Sequence, residues 1–236
     1  MLKKVLLAGA ASLFVVSAAQ AADIVAPEVY DWTGPYIGLQ GGYAWGENDV
    51  SATGTESTEE ARNADAVLNG RDGEMDLDGF VGGLHLGYNW QSDALVLGLE
   101  GDIEFADING DTDVVNAAGD KVGEIEQEID WLGSLRLRAG FAADRALFYA
   151  TGGLAVGGVE ISVKDGDGDE FAGNSETNWG WTLGGGVEYA FTDDLSARIE
   201  YRYTDLGDID ADNGDGDEGK ADTRFHAVRA GLSWHF

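Results

Sequence analysis

The chain has 236 residues, a formal net charge of −30 and no cysteine, which excludes a disulfide framework and any cysteine-ligated metal site. Its 36 glycines and only 2 prolines disfavour a helical bundle and suit the small inward positions of a narrow β-barrel. The acidic excess also disfavours nucleic acid as a partner, because the phosphates would be repelled.

The first 21 residues are predicted to form a Sec signal peptide. Lys3 and Lys4 make a basic start, residues 5–18 are apolar, and residues 19–21 form an A-x-A cleavage motif. The apolar run has about 14 residues, whereas a membrane-spanning helix needs about 20. Cleavage near Ala21 leaves one domain of about 215 residues. No other long apolar run follows, which excludes a helical membrane protein.

After a polar segment at residues 22–34, which we assign to the periplasm, apolar and polar residues alternate in eight stretches. A period of two is typical of a β-strand with one apolar and one polar face. The predicted strands are residues 35–45, 79–90, 94–105, 130–142, 146–163, 178–191, 195–203 and 225–236.

Long and short connections alternate between these strands. The short ones are residues 91–93, 143–145 and 192–194; the long ones are acidic and aperiodic, at residues 46–76, 106–126, 164–176 and 204–222. Outer-membrane barrels have short periplasmic turns and long external loops. The sequence therefore predicts an all-β fold at residues 35–236, an eight-stranded antiparallel transmembrane β-barrel with short periplasmic turns and four long acidic external loops.

Aromatic residues bracket the apolar faces of the predicted strands. One group lies at the ends of the strands next to the long loops: Trp45, Phe105, Trp131, Trp179 and Tyr203. The other lies at the ends next to the short turns: Tyr36, Trp90, Phe141, Phe191 and Phe236. Two rings of aromatics match the two interfaces of a membrane. A soluble lipocalin-like barrel would instead turn its apolar face inward and would not leave charged stripes facing a core.

The fifth stretch is rich in glycine, and the direction of its side chains is ambiguous. We expect Tyr149 and Thr151 to point inward and Leu154 and Val156 to point outward. This choice requires a bulge farther up the strand to keep Glu160 away from lipid.

The charged residues within the strands are expected to face the lumen, since Arg or Lys facing lipid at mid-bilayer costs roughly 2–4 kcal/mol. Counting from the turns places Glu100 level with Arg136, and Glu188 level with Arg198. Eight strands leave an interior just wide enough for side chains, so the charges indicate a paired network that closes the lumen. The predicted network is Glu100, Asp102, Glu104, Arg136, Arg138, Glu188, Arg198, Glu200, Arg202 and Arg229.

Asp and Gly alternate in two of the acidic loops, and carboxylates at every second residue can wrap a hard cation. The candidate Ca²⁺ ligands are Asp165, Asp167, Asp169, Asp212, Asp215 and Asp217. Neither run has the complete EF-hand pattern, so no specific metal site and no cofactor is predicted. Divalent cations that bridge the loops to anionic lipopolysaccharide are the expected consequence.

No catalytic site is predicted, and the chain is not expected to be an enzyme. His85 is assigned to the inward face at mid-height, His226 to the lipid face at the top, and His235 to the inward face at the periplasmic end. A nucleophile and its base must lie within hydrogen-bond reach, and no serine pairs with these histidines at the rim.

Residues 31–43, Asp-Trp-Thr-Gly-Pro-Tyr-Ile-Gly-Leu-Gln-Gly-Gly-Tyr, resemble the first strand of the small alphaproteobacterial outer-membrane proteins of the Omp25/Omp31 type. Residues 150–155, 180–191 and 197–203 are similar to later strands of that family. The resemblance covers all eight strands and implies the outer membrane of a Gram-negative cell. Members are described as structural, haemin-binding or porin-like. In this family the terminal aromatic residues, here Trp234 and Phe236, are the signal read by the barrel-assembly machinery.

The expected function is a structural, surface-exposed barrel with a closed lumen. One alternative is a protein that binds haemin or a host surface, for which Tyr201, Tyr203 and His226 are the candidate ligands, although their parity puts them on the lipid side. A second alternative is a narrow porin for small solutes. The sequence identifies neither a specific ligand nor an oligomeric state.

Overall fold

The computed structural model describes residues 30–53, 73–115, 121–165, 170–212 and 218–236. These residues form eight strands: β1 (Gly34–Thr53), β2 (Gly73–Ser92), β3 (Leu95–Val115), β4 (Lys121–Ala143), β5 (Ala146–Asp165), β6 (Glu170–Ala190), β7 (Leu195–Asp212) and β8 (Glu218–His235). Each strand pairs antiparallel with the next, and β8 pairs with β1 to close the barrel. The predicted all-β fold of eight antiparallel strands closed into a barrel is confirmed. The predicted signal peptide lies outside the described residues.

Side chains alternate between the two faces of this barrel. On the outside, Leu39, Leu86 and Leu137 are 60–70% exposed, whereas their inward neighbours such as Gln40 are buried. Exposed apolar side chains in such number are stable only against lipid. Among the described residues, no helix is long and apolar enough to cross a bilayer.

The strands are longer than predicted, with 18 to 23 residues each. The extra length lies at the end that carries the long connections, here named the loop end. For example, β3 runs to Val115 and β4 begins at Lys121, so the prediction of a loop at residues 106–126 was wrong. Beyond the membrane the outward face meets water, so it becomes acidic while the backbone ladder continues. Apolar alternation therefore stops before the strand does.

The short connections define the opposite, turn end of the barrel. Asp93 and Asp144 adopt positive φ angles of 54° and 56° in two of these turns. Asp tolerates this left-handed conformation better than most residues because its short side chain bonds to the local backbone. The turns predicted at residues 91–93 and 143–145 therefore have a local chemical cause.

The bulge predicted in β5 is not present. Residues 146–163 of β5 pair with β6 without a register shift, and the irregularity lies instead in β4, between Ile129 and Trp131. Glu160 stays on the outward face, where it pairs with Glu128 just above the level of Trp131. It needs no bulge because β5 has left the lipid at that height.

Glycines on the inward face let the strands pack closely. A Cβ atom on Gly42 would lie 2.2 Å from the carbonyl oxygen of Val228 across the β1–β8 seam, closer than any non-bonded contact allows. The preceding residue, Gly41, faces outward, and its Cβ would lie 3.6 Å from the oxygen of Val81, an ordinary contact. The seam that closes the ring therefore requires glycine at one of these positions and not at the other.

The substitution Gly42→Ala is expected to lower the free energy of unfolding by about 1–3 kcal/mol, the range for overpacked interiors. Gly41→Ala is the matched control and should stay near wild type. Urea titration of the refolded protein, followed by its heat-modifiable gel mobility, measures both. Equal stability of the two variants would contradict the close approach at the seam.

Candidate functional site: the interior of the barrel

The interior has three layers along the barrel axis. A loop-end apolar layer consists of Ala44, Met75, Leu77, Val81, Ile108, Ile129, Leu132, Ala155, Val159, Leu206, Phe225 and Ala227. A turn-end apolar layer consists of Trp32, Val96, Ala142, Leu147, Tyr149 and Ala190. Between them lies a charged layer that contains the ten predicted charged residues, with each of their side chains at most 3% exposed.

The charged layer is organised around Arg136, which reaches three carboxylates. Its guanidinium bonds to Glu100, lies 3.0 Å from Asp102 Oδ2 and 2.8 Å from Glu200 Oε1, and donates to Thr151 Oγ1 at 3.1 Å. The backbone register pairs Glu100 directly with Arg136, at the common level that the sequence predicts. β3, β4 and β7 are therefore joined through one cation.

Two further arginines extend the charged layer toward the loop end. Arg229 binds Glu104 through two of its guanidinium nitrogens, Nε to Oε1 at 2.9 Å and Nη2 to Oε2 at 2.9 Å. Arg202 lies 2.8 Å from Glu200 and 3.2 Å from Asp102. Paired contacts of this kind hold a guanidinium in one orientation.

Two more arginines extend the charged layer toward the turn end. Arg198 bonds to Glu100, and Arg138 bonds to Glu188. The Arg138 guanidinium also lies 3.8 Å from the centre of the Tyr149 ring, a cation–π contact that joins the charged layer to the apolar layer below it. Tyr36 completes the group by donating its hydroxyl hydrogen to Glu100 Oε2 at 2.7 Å.

Burial of so many charges is tolerated because they are balanced and bonded. The ten residues are five cations and five carboxylates, so their formal charges cancel. The desolvation cost of each ion is offset only when its partners remain in place. Some buried atoms, such as Arg229 Nη1 and Glu200 Oε2, have no partner among the described residues. Atoms of this kind are where buried water binds in protein interiors.

The interior contains two serine–histidine pairs that the sequence did not predict. His85 Nε2 lies 2.9 Å from Ser233 Oγ, and His235 Nε2 lies 2.9 Å from Ser196 Oγ. Glu188 bonds to Ser196 and lies 3.5 Å from the same nitrogen of His235. In a catalytic triad the carboxylate binds the other ring nitrogen, so this arrangement cannot relay a proton from serine. These pairs belong to the buried hydrogen-bond network.

The segment before β1 closes the turn end. Trp32 is 1% exposed, and its backbone N–H donates to Gln91 Oε1 at 2.8 Å. The Tyr30 hydroxyl donates to the Asp193 carbonyl oxygen at 2.6 Å. Burial, together with the negative charges of Glu188, Asp193 and Asp194, raises the pKa of Tyr30 to about 12. Sequence reasoning described residues 22–34 only as a polar segment and missed this contact.

The three candidate haemin ligands meet on the outer wall near the loop end. Tyr201 Oη lies 2.6 Å from His226 Nδ1, and the Tyr203 and His226 rings are 5.1 Å apart. The predicted lipid-side parity is confirmed, because His226 pairs with Trp45 and Tyr203 on the outward row. These side chains lie on the outer face of the wall, and the charged layer lies on its inner face.

The predicted Ca²⁺ ligands fall largely outside the described part of the chain. Asp167, Asp169, Asp215 and Asp217 lie outside the described residues, as do the side chains of Asp165 and Asp212. In the part of the chain that is described, no group of three or more His, Cys, Asp or Glu side chains is arranged to hold a metal ion.

The terminal aromatics lie on the outer wall at the turn end. Trp234 and Phe236 are 50% and 76% exposed, and the Phe236 N–H donates to the Pro35 carbonyl oxygen at 3.1 Å. The last residue thus contributes to the seam between β8 and β1.

Comparison with known proteins identifies the family. A family model for the "Outer membrane protein beta-barrel domain" matches residues 8–236. The chain belongs to this family. It is therefore an integral protein of the cell outer membrane.

Curated relatives specify the alphaproteobacterial Omp25/Omp31-like group. The 31 kDa outer-membrane immunogenic protein of Brucella melitensis is 36% identical over an alignment of 252 positions, which covers 100% of both chains. The 25 kDa outer-membrane immunogenic protein of Brucella abortus is 32% identical over 213 residues, 90% of this chain and 82% of that protein. The 22 kDa outer membrane protein of Rhizobium leguminosarum is 39% identical over 140 residues, 58% of each chain.

Among solved structures, the outer membrane protein OprG from Pseudomonas aeruginosa has a similar fold. It superposes with a TM-score of 0.50 at 16% sequence identity, covering 86% of this chain and 96% of OprG. This likeness supports the barrel fold alone.

Substitution of the central cation tests the charged layer. Arg136→Met leaves three buried carboxylates without their shared partner and should lower the free energy of unfolding by about 3–5 kcal/mol. Arg145→Met is the control, because the Arg145–Asp193 pair is 38% and 86% exposed, and such pairs contribute about 0–1 kcal/mol. Urea unfolding in detergent gives both values. An Arg136→Met barrel as stable as the Arg145→Met barrel would contradict the role of the network.

Proposed function

We propose that this protein is a structural, surface-exposed barrel of the outer membrane whose lumen is closed. The main support for the proposal is the order of the layers inside the barrel, where ten bonded charged residues lie between two apolar layers. A pore requires a continuous polar path, and an apolar constriction excludes water and ions from such a path.

The two ends support a closed lumen in different ways. At the loop end, Phe225, Met75 and Leu77 are each 1% exposed and fill the interior with apolar side chains. At the turn end, Trp32 covers the mouth from the periplasmic side. A solute that entered from either end would have to displace an apolar layer and then separate the Arg136 ion pairs.

The outer surface is the second part of the proposal. The strands extend past the apolar band, and their outward positions there carry carboxylates such as Asp76, Asp107 and Glu128. We propose that this acidic extension interacts with lipopolysaccharide through bridging divalent cations, which bind carboxylate and phosphate oxygens. The barrel-assembly machinery is the proposed partner of Trp234 and Phe236 during insertion. Their exposure at the turn end supports this role.

Haemin binding is the second candidate function, because Tyr201, Tyr203 and His226 lie together. Against it, Asp76 and Asp78 line the same cavity as His226 and would repel the anionic propionates. A Soret shift on titration of haemin into the folded protein, abolished by His226→Ala, would favour this candidate over the structural one. Binding to a host surface and passage of small solutes through a narrow porin are two further candidates.

Planar-bilayer recording tests the closed lumen. The purified, folded protein should give no steady single-channel steps, because the loop-end apolar layer and the ion pairs block the axis. A large porin inserted into the same bilayer serves as the positive control. Steady, reproducible current steps from the wild-type barrel would contradict the proposal and favour the narrow porin.

A further inference from the structure

An aromatic and polar cluster lies on the outer wall of the barrel, separate from the interior. We name it the rim patch and define it by Trp45, Asp78, Tyr203, Arg224 and His226. The backbone register places Tyr203, His226, Trp45 and Asp78 side by side on β7, β8, β1 and β2. Four adjacent strands therefore contribute one outward row.

The rim patch lies at the boundary between the hydrocarbon core of the membrane and the lipid headgroups. Val228 and Phe80, the next outward residues toward the turn end from His226 and Asp78, are apolar, whereas Arg224 and Asp76, the next outward residues toward the loop end, are charged. From Phe236 at the turn end to His226 there are about ten residues of tilted strand, which span about 25 Å, the height of an apolar band. The cluster therefore faces the headgroup region of the outer leaflet.

The rings of the rim patch form a continuous wall. The His226 ring lies 6.1 Å from the Trp45 ring and 5.8 Å from the Tyr201 ring, with interplanar angles of 29° and 25°, and the Trp45 and Tyr201 rings are 6.5 Å apart. The bond between Tyr201 Oη and His226 Nδ1 fixes the imidazole plane, so its other nitrogen points away from Tyr201. Flat apolar faces with polar edges are thus presented together.

Polar groups converge on the same wall. The Tyr43 hydroxyl donates to Asp78 Oδ2, which orients that carboxylate. Arg224 lies 3.5 Å from Asp205 and is half exposed. A cavity of about 660 Å³ opens among these groups, lined by Trp45, Asp76, Asp78, Tyr203, Arg224 and His226. This volume is within the range of small-ligand sites.

An ordinary aromatic girdle does not account for this arrangement. On other strands of the same interface, Phe105 and Trp179 stand out into lipid, 84% and 68% exposed, whereas Trp45 is 40% exposed and packs into the cluster. A girdle needs only aromatic residues at the correct height. The convergent Asp, Arg and His side chains are an additional feature, typical of a site that binds a polar molecule.

The charges select the chemistry of the ligand. Asp76 and Asp78 outnumber Arg224, which already pairs with Asp205, so a phosphate group is disfavoured here. A neutral polyhydroxyl group fits better, because carboxylates accept hydroxyl hydrogens, Arg and His donate, and the C–H face of a sugar ring packs on aromatic faces.

We propose that the rim patch binds a sugar residue of the outer-leaflet glycolipid, with its pyranose face on Trp45 and Tyr203 and its hydroxyls on Asp78, Arg224 and His226. The inference rests on the proposed surface role, because it requires the loop end to face that leaflet. The proposal assigns glycolipid binding to a defined site on one side of the barrel, in place of a general attraction between the acidic surface and the lipopolysaccharide.

Calorimetric titration of the folded full-length mature protein in detergent tests the site. The probes are rough-type lipopolysaccharide, the same glycolipid with its phosphates removed, and phosphatidylethanolamine, which has no sugar. Wild-type protein should bind both glycolipids and not the phospholipid. Trp45→Leu should weaken binding by about tenfold or more, as expected for an aromatic contact at the centre of a site. Asp78→Asn should weaken it as well.

Trp179→Leu is the matched control, since it removes an exposed tryptophan at the same interface outside the patch, and it should leave the dissociation constant unchanged. Heat-modifiable gel mobility verifies that each variant is folded. Equal affinities of the Trp45→Leu and Trp179→Leu proteins, loss of binding on dephosphorylation, or no binding by the wild type would each overturn the site. None of these outcomes bears on the closed lumen, which bilayer recording tests separately.

Discussion

The structure depends on the pairing of buried charges inside a narrow ring. An eight-stranded barrel in a membrane has lipid outside and little room inside, so charge within its strands must be neutralised by neighbours at van der Waals distance. Arg136 contacts Glu100, Asp102 and Glu200, which come from two other strands. The same contacts that make the interior electrically neutral hold non-adjacent strands at fixed positions and fill the space through which a solute would pass.

Much of this arrangement could be predicted from the sequence, because lipid imposes an alternation that is easy to recognise. Alternation identified every strand and all ten residues of the charged layer, but in the glycine-rich β5 it left the direction of the side chains ambiguous. Counting from the turns also paired Glu100 with Arg136 and Glu188 with Arg198, which the backbone register reproduces. Short turns make such counting reliable, since they set the register of the strands they join.

The features that sequence reasoning missed lie where this alternation is lost. Met75, Ile108 and Leu206 belong to the loop-end apolar layer but fall in stretches predicted as loops, since their outward neighbours are acidic. Trp32 was assigned to a polar leader because its contact with Gln91 is not local in sequence. The pair of Ser196 with His235 was missed for a similar reason, as it depends on the β7–β8 register and on which rotamers fit beside Glu188.

The closed lumen that we propose leaves the surfaces of the barrel to carry its function. The family relationship places the protein in the outer membrane, and the outward face has three zones in steps from the turn end, namely an apolar band, an aromatic rim and an acidic extension. Each step matches the medium at that height. The interior supplies the rigidity with which these surfaces are presented, and the rim patch is the place where the chemistry is more specific than the medium requires.

The most direct test of the central claim is the solvent accessibility of the charged layer. The chain has no cysteine, so a single cysteine at Thr151, which bonds to Arg136, reports on that layer alone. The folded Thr151→Cys barrel is predicted to resist a small charged methanethiosulfonate reagent and to react fully in urea, whereas a Ser92→Cys barrel, altered at an exposed turn, reacts in both states. Rapid reaction of the folded Thr151→Cys protein would show that water and ions reach the charged layer, and would contradict a closed lumen.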